Sequence, residues 1–481
     1  PATRKIYYKQ PATVALRAFN WDNLNTDGYG GNFTNLCSKS MIPTQCANLT
    51  TAEANLANTG SNLVNFLRGV RTFESASAAN STTQPLYRAR AGVLGDIING
   101  APIYVSSPPF TYSDTGYSQF VVSNRTRKPV LYVAANDGML HAFSAATADG
   151  GTELWAYVPA DAMPDMYRLA DKGYESRHRY FVDGAPVIAD IRVGTTWKTI
   201  LVGGMNKGGR SYYALDVTDP EDPKALWEFK DTNLGLTFGN PIVTKRADGT
   251  WVVVFSSGYN NNVSGGDGKG HLFVVNANTG ERLLDIPTTA GTTSDPSGMA
   301  KINAWIEDSS NNTSKRFYGG DLKGNLWRFD VDNLVEPQQQ ALKLATFQID
   351  TSTPQPITVK PETIEISGKS VVIVATGRYL GTADVEDTTQ QSIYAVKDVL
   401  TNTGLGDVRA RNTMVRQTFT VTGNTAAISS NQVNWGTQDG WWVDLPHTGE
   451  RVNTDMALQF GTLSLATAIP SGDACSSGGS S

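Results

Sequence analysis

Short apolar segments separated by glycine, asparagine and aspartate recur along the chain from residue 91 onward. Each unit has an apolar strand, a polar turn, and a second strand that ends on Asp or Asn. Pairs such as Asp137-Gly138 and Lys323-Gly324 predict tight β-hairpins between the strands. The five clearest copies occupy residues 131–150, 200–219, 252–280, 316–333 and 371–398.

A proline-containing element precedes these units, as in Gly-Ala-Pro-Ile at 100–103, Gly-Ala-Pro-Val at 184–187 and Gly-Asn-Pro-Ile at 239–242. Proline at the first residue of a strand avoids the loss of a hydrogen bond within the sheet. Each unit therefore reads as four antiparallel strands, and the units recur roughly every 55 to 85 residues, which is typical of β-propeller blades. Weaker units around 435–469 and before 130 suggest about seven blades. The predicted fold class is all-β, a modified propeller with helical and loop insertions.

Residues 1–90 lack this pattern and are rich in Asn, Thr, Ser and Ala. We expect an irregular segment that packs on a propeller formed by residues 91–481, with Leu63 to Arg71 as its one helical stretch. A further insertion at 160–181 has helical character around 163–172. Insertions of this kind lie on one face of a propeller, so this one either binds a partner or only caps the fold.

Composition removes several classes of function. Hydrophobic residues make up 40% of the chain and charged residues 18%, with a net charge of −5 spread without long runs. A nucleic-acid-binding protein would carry a basic stripe, which is missing here. No apolar stretch reaches the roughly 18–20 residues of a membrane helix. We expect the chain to be an excised portion of a longer protein.

The cysteines and histidines do not form a zinc pattern. Cys37 and Cys46 lie in one polar loop, Cys475 lies near the end, and the four histidines lack a metal-ligand spacing. A local disulfide between Cys37 and Cys46 would suit an exported protein, whereas two free thiols would suit a cytosolic one. The pairing of Cys475 stays open.

Five motifs in order carry a resemblance to a known family. They are VLGDIINGAPIYV (93–105), AANDGMLHAF (134–143), GRSYYALDVTDP (209–220), GYNNN…GDGKGHLFVVNANTGE (258–281) and GGDLKGNLWRFDV (319–331). Together they resemble the C-terminal domain of the PilC/PilY family of type IV pilus tip-associated proteins. The resemblance extends from about residue 88 to the cysteine-containing end near 474–479.

This resemblance implies a quinoprotein-like propeller that is exported to the pilus tip, cell surface or outer membrane. Family members promote pilus assembly, oppose retraction, and mediate attachment to surfaces or host cells. The implied partners are minor pilins and a surface receptor whose identity the sequence does not reveal. A von Willebrand factor A-like region is common in the family and would lie upstream of Pro1.

The resemblance also implies a calcium loop of EF-hand type before the motif at 319–331. Asp308, Ser310 and Asn312 keep oxygen ligands at alternate positions, as calcium requires. Thr313 replaces the usual glycine, and Arg316 stands where a carboxylate is needed. We therefore expect weak calcium affinity or an ordinary polar hairpin loop. A second calcium-like string at 23–28 is expected to form an Asn/Asp/Gly turn.

A quinoprotein-like dehydrogenase is the enzymatic alternative. Such enzymes need a calcium-bound quinone, an aspartate base and often adjacent cysteines, and the chain has no Cys-Cys pair. Asp137, Asp216, Asp321 and Asp330 recur from repeat to repeat, which favours a hairpin-stabilising role over catalysis. We predict a non-enzymatic protein without a quinone.

Two versions of an interaction protein then remain: an adhesin, and a purely structural scaffold that docks on minor pilins without adhesive activity. Three tryptophans could form an exposed patch for either version, or could instead pack between blades. They are Trp435, Trp441 and Trp442.

Overall fold

A computed structural model describes residues 3–263 and 265–471 of the chain. The chain divides into two compact units. Unit 1 comprises Pro1–Asp231, Leu236–Pro241 and Ala277–Gly280, and unit 2 comprises Thr232–Gly235, Ile242–Asn276 and Glu281–Ser481. Cys475 lies outside the described residues.

Unit 1 contains two sheets. The first has the strand order β2-β1-β6-β5-β4-β3 and the second has the order β10-β9-β8-β7. Their strands are β1 (Ile6–Lys9), β2 (Leu16–Ala18), β3 (Ile103–Val105), β4 (Val130–Ala135), β5 (Met139–Ser144), β6 (Glu153–Tyr157), β7 (Val187–Val193), β8 (Thr196–Gly204), β9 (Tyr212–Asp216) and β10 (Lys224–Phe229). Each of the two therefore contains the up-and-down order of four antiparallel strands that the repeats predict.

The N-terminal segment is more ordered than its sequence suggests. It contributes α1 (Trp21–Thr26), α2 (Gly30–Phe33), α3 (Thr51–Ala57), α4 (Gly60–Leu67) and three short 3-10 helices, Leu36–Ser38, Thr44–Asn48 and Ala78–Asn80. Asn20 caps α1, and Thr50 with Glu53 forms a capping box on α3. Strand β1 pairs in parallel with β6, so this segment also extends the first sheet.

The insertion predicted to be helical forms two 3-10 helices, Met163–Ala170 and Tyr174–Arg177. Met163, Met166 and Tyr167 are buried in the same apolar cluster as Leu63 and Phe66 of α4. The apolar side of the insertion is thus covered by the N-terminal helices, as a cap would be. Unit 1 also includes α5 (Tyr117–Asn124).

Unit 2 contains three larger sheets with the orders β11-β12-β13-β14, β15-β16-β17-β18 and β19-β20-β21-β25-β22. The first two are formed by β11 (Ile242–Lys245), β12 (Trp251–Ser256), β13 (His271–Asn276), β14 (Arg282–Pro287), β15 (Ile302–Ile306), β16 (Ser314–Gly320), β17 (Asn325–Phe329) and β18 (Ala341–Thr346). The third is formed by β19 (Glu362–Ile366), β20 (Lys369–Ala375), β21 (Ser392–Asp398), β22 (Met414–Arg416) and β25 (Gly440–Asp444).

Two small hairpins and one helical turn complete unit 2. The hairpins are β23 (Phe419–Thr422) with β24 (Thr425–Ile428), and β26 (Ala457–Gln459) with β27 (Thr462–Ser464). A 3-10 helix occupies Thr382–Asp384.

The five clear sequence repeats correspond to the five larger sheets of the described residues, and the all-β class is confirmed. The number seven is not confirmed. The weaker sequence repeat near 435–469 divides between β25, which joins the fifth sheet, and the hairpin of β26 and β27. The weaker sequence repeat before residue 130 contains β3 and α5.

Candidate functional site

Asp321 is a buried carboxylate inside the turn between β16 and β17. It accepts hydrogen bonds from the backbone N–H groups of Lys323 and Asn325, from the Asn325 amide, and from the indole N–H of Trp327 at 2.8 Å. Burial raises the pKa of Asp321, while these donors act in the opposite direction. The donors to this carboxylate belong to its own hairpin, so the carboxylate holds the turn together.

Asp137 occupies the corresponding turn of the first sheet and faces a buried histidine. His141 Nε2 lies 3.1 Å from Asp137 and its Nδ1 lies 2.8 Å from Glu153, which also pairs with Arg4. Burial lowers the pKa of His141, but the two carboxylates outweigh it and raise the pKa to about 9. The histidine is therefore a cation at neutral pH, enclosed between two anions.

The third sheet repeats this arrangement. His271 Nε2 lies 3.1 Å from Asp267 and its Nδ1 lies 2.6 Å from Asp285. Although burial opposes it, the pair of carboxylates raises the pKa of His271. The ring stacks on Phe273 at a centroid distance of 5.8 Å, as His141 stacks on Phe143 at 5.6 Å.

Both histidines belong to the same motif, Asp-Gly-x-x-His-x-Phe, at 137–143 and 267–273. In the sheet register, the phenylalanine of each motif lies opposite the acidic residue of the next strand, Phe143 opposite Glu153 and Phe273 opposite Asp285. These histidine–carboxylate pairs were not predicted, although the repeated Asp-Gly-x-x-His-x-Phe spacing is visible in the sequence. The recurrence of the pair indicates a structural element of the blade.

Asp216 and Asp330 occupy a different place from Asp137 and Asp321. Asp216 is the last residue of β9 and accepts from Thr218, while Asp330 follows β17 and accepts from four backbone N–H groups. The recurring aspartates thus fall into two classes, one in the turn and one at the end of the third strand. Within the described residues, no group of three or more His, Cys, Asp or Glu side chains is arranged to hold a metal ion.

The predicted calcium loop joins β15 to β16, and several of its oxygen atoms accept hydrogen bonds within the protein. One carboxylate oxygen of Asp308 accepts from the backbone N–H of Ser310 at 2.8 Å and from its hydroxyl at 2.7 Å. These bonds lower the pKa of Asp308. The Asn312 amide donates to the carbonyl of Val243, and its own carbonyl accepts from Thr244.

Arg316 points away from this loop into the core. Its guanidinium stacks on Trp305 at 4.1 Å and donates to the hydroxyl groups of Tyr318 and Ser370. The carboxylate that calcium would need at this position is thus replaced by a buried cation that serves packing. Asp308, Ser310 and Asn312 do not fit a calcium site by themselves.

We predict that calcium does not bind this loop. Isothermal titration of the chain with calcium chloride should give no saturable heat, and Asp308→Ala should leave the trace unchanged, because one carboxylate cannot supply the required ligand charge. Saturable binding that disappears in Asp308→Ala would contradict this prediction.

Only the last two residues of the second calcium-like string, Asp27 and Gly28, form the expected turn. Residues 23–26 complete helix α1, and Gly28 follows it with a φ of 85°. Asp27 accepts hydrogen bonds from Tyr8 and Arg17 at 2.6 Å. Asn20, which lies outside the string, caps the start of the helix and so favours a helix over a turn at residues 23–26.

Cys37 and Cys46 form a disulfide with a Cα–Cα distance of 5.4 Å. The loop between them is held on the 160–181 insertion. The backbone N–H and hydroxyl of Thr44 both donate to Asp171 at 2.8 Å, and the Gln45 amide donates to the carbonyl of Ala170. The disulfide therefore restrains a loop that is hydrogen-bonded to the 160–181 insertion within unit 1.

Removing this disulfide should destabilise unit 1. The double variant Cys37→Ser/Cys46→Ser is expected to lose about 2–3 kcal/mol of unfolding free energy. Without the cross-link, the unfolded chain gains conformational entropy, and for a loop of this length its contribution to the free energy is about that large. Urea unfolding measures the loss, and a reducing agent should then affect the wild type but not the double variant. A loss below about 0.5 kcal/mol would refute the expectation.

The three tryptophans are half-buried. Trp435 and Trp441 pack against the apolar cluster of the fifth sheet. The guanidinium groups of Arg409 and Arg416 lie over the Trp442 ring, at 4.1 and 4.9 Å from its centroid. The packing alternative describes these residues better than an open aromatic patch.

Comparison with known proteins decides the family. The family model of the PilY1 beta-propeller domain matches residues 94–432, well over half of the chain. The chain belongs to the PilY1 family. The resemblance to the PilC/PilY proteins drawn from five motifs is thereby confirmed.

Curated PilY1 relatives match most or all of the chain. Type IV pilus biogenesis factor PilY1 of Pseudomonas aeruginosa strain PAK is 30% identical over 537 aligned positions, covering 100% of this chain and 43% of that protein. A homolog from Xylella fastidiosa strain Temecula1 is 35% identical over 449 positions, covering 88% and 34%. The chain thus spans less than half the length of these relatives.

The crystal structure of the Pseudomonas aeruginosa PilY1 C-terminal domain is similar in fold, with a TM-score of 0.62 and 28% identity. It covers 76% of this chain and 82% of that one. Helices that could cross a bilayer are missing from the part of this PilY1-family chain that the structure describes.

Proposed function

We propose that this chain is the propeller portion of a type IV pilus biogenesis factor that acts at the pilus tip. The observation that carries the proposal is the match over the whole chain to proteins named type IV pilus biogenesis factors. In this role the protein promotes pilus assembly, counteracts retraction and attaches the pilus to a surface or host cell. Its partners are minor pilins and a surface receptor.

The proposed role is non-enzymatic. The turn and strand-end aspartates are each engaged by donors of their own hairpin, and the buried histidines are enclosed between carboxylates. A general base needs access to the proton that it abstracts. This arrangement supports a binding role for the propeller, without a quinone.

An exported location at the pilus tip, cell surface or outer membrane agrees with the Cys37–Cys46 disulfide. Disulfides form and persist in oxidising compartments and are rare in the cytosol. The disulfide therefore supports export independently of the relatives' names.

Gold-labelled antibody against this chain, counted along sheared pili by electron microscopy, tests the location. We expect label concentrated at one end of the fibre. Label that stays on the cell envelope and is absent from pili would refute the tip location and favour an assembly role in the envelope.

A strain without the protein tests the function itself. We expect fewer surface pili and reduced surface attachment, and an unchanged pilus number would contradict a role in assembly. A variant that keeps pili but loses attachment would separate adhesion from the purely structural docking role.

A further inference from the structure

Phe460 is the fully exposed residue at the tip of the β26–β27 hairpin. Gln459 pairs with Thr462, so Phe460 and Gly461 form a two-residue turn. Both have positive φ, 50° and 75°, which defines a type I′ turn. The first position of such a turn favours Asn, Asp or Gly, and a bulky side chain is strained there.

In the described part of the chain, three other two-residue hairpin turns follow the usual preference. Gly194-Thr195 and Gly423-Asn424 place glycine first, and Ser367-Gly368 places a small polar residue at a φ of 51°. Phe460 alone among these four turns has a large apolar side chain at the first position. Phe460 therefore destabilises the fold, because it strains the backbone and exposes an aromatic ring to water.

The hairpin holds Phe460 firmly in this position. Leu458 and Leu463 are a cross-strand pair, and both pack against the apolar cluster of the fifth sheet. Paired backbone hydrogen bonds between Arg451 and Ala468, of 3.0 and 2.9 Å, close the base of the segment. A ring presented on a fixed support loses little conformational freedom on binding.

The surroundings of the ring point to a protein as its partner. Residues 456–471 contain no Asp, Glu, Lys or Arg, although 18% of the chain is charged. An anionic lipid surface would require lysine or arginine near the inserted side chain. The centres of protein interfaces, in contrast, are poor in charge and rich in aromatic residues.

We propose that Phe460 is an anchor that inserts into an apolar, ring-sized pocket of a second protein. This inference rests on the proposed function, because it places that protein in the type IV pilus assembly. The uncharged polar groups of Gln459 and Thr462 would then face the rim of the pocket.

Two variants separate binding from folding. Phe460→Asn introduces the residue that a type I′ turn prefers, so its thermal midpoint should equal or exceed that of the wild type. Its surface pili or its attachment should nevertheless fall, because loss of an interface anchor weakens binding about tenfold or more. Ser367→Phe places the same ring in the matched turn of the β19–β20 hairpin and should not restore the loss in the Phe460→Asn background.

Photo-crosslinking identifies the partner. The photoreactive p-benzoylphenylalanine is incorporated at position 460, or at position 367 as the matched control, in the full-length protein of piliated cells. We expect a light-dependent protein adduct at position 460 only, mapped by mass spectrometry to an apolar pocket of a pilus protein. An adduct to lipid only, equal labelling at both positions, no adduct, or normal pili and attachment in Phe460→Asn would overturn the proposal.

Failure of the proposed function gives a different result. If deletion of the whole protein leaves pili and attachment unchanged, the biogenesis role fails. If deletion does reduce pili or attachment but position 460 gives no protein adduct, the anchor alone fails. A mapped pilus-protein adduct together with a deletion defect supports both.

Discussion

Replacing Asp398 by asparagine is expected to lower the unfolding free energy of unit 2 by about 3–5 kcal/mol. The Asp398 carboxylate accepts a hydrogen bond from Arg328, and the two side chains are only 0% and 1% exposed. It also accepts from the Tyr318 hydroxyl at 2.7 Å and from the Leu400 N–H at 2.9 Å. Asparagine keeps the shape but leaves the guanidinium as an uncompensated buried charge.

Glu307→Gln is the matched control. Glu307 pairs with Lys315 at 2.6 Å, but the side chains are 55% and 44% exposed. Solvent screens such a pair, so its loss should cost at most about 1 kcal/mol. Urea unfolding of both variants at constant pH measures the difference, and an Asp398→Asn loss as small as that of the control would show that the buried pair is not needed.

The second large effect is a loss of stability at alkaline pH. The pKa of His141 rises from an unfolded value of 6.5 to about 9, because Asp137 and Glu153 outweigh its burial. A raised pKa stabilises the fold fully below about pH 6.5, and this contribution disappears as the pH rises through about 9. The shift corresponds to about 3 kcal/mol, since one pKa unit is about 1.4 kcal/mol.

His141→Gln should remove this part of the pH dependence. Urea unfolding between pH 6 and pH 10 is expected to show a steep loss for the wild type and a flatter curve for the variant. His447→Gln, at a half-exposed side chain beside Glu450, serves as the control and should keep the wild-type slope. Equal slopes for His141→Gln and the wild type would contradict a protonated native histidine.

Local patterns in the sequence predicted the sheets well because a blade is formed by neighbouring segments. Each clear repeat supplies strands that pair with the next one along the chain. The place of strand β25 was not predicted, because it pairs with β21 across the intervening stretch 399–439. Its place depends on packing partners that no local pattern encodes.

Of the N-terminal helices, only α4 was predicted from residues 1–90, as the helical stretch Leu63 to Arg71. Short helices of this kind are marginal in isolation and depend on tertiary packing. Phe33 and Leu63 are buried with Met163 and Met166, which lie far along the chain. The signal that stabilises these helices is therefore in another part of the sequence.

For the candidate calcium loop, the sequence predicted the missing ligand but not the contacts that its side chains make. The sequence shows that Arg316 replaces a carboxylate. That its guanidinium stacks on Trp305 depends on the register of β15 and β16, which pairs the two residues directly. The acidic partners of His141 and His271 likewise depend on strand register.

The parallel pairing of β1 with β6 has a consequence for the order of folding. Arg4 and Glu153 bond across a separation of 149 residues, so the contact closes a very long loop. Loop closure of this length slows folding, and the N-terminal strand is synthesised long before its partner. Until residue 157 has emerged, the edge of β1 toward β6 stays open, which makes it a target for chaperones during biosynthesis and for wrong pairing when they are lacking.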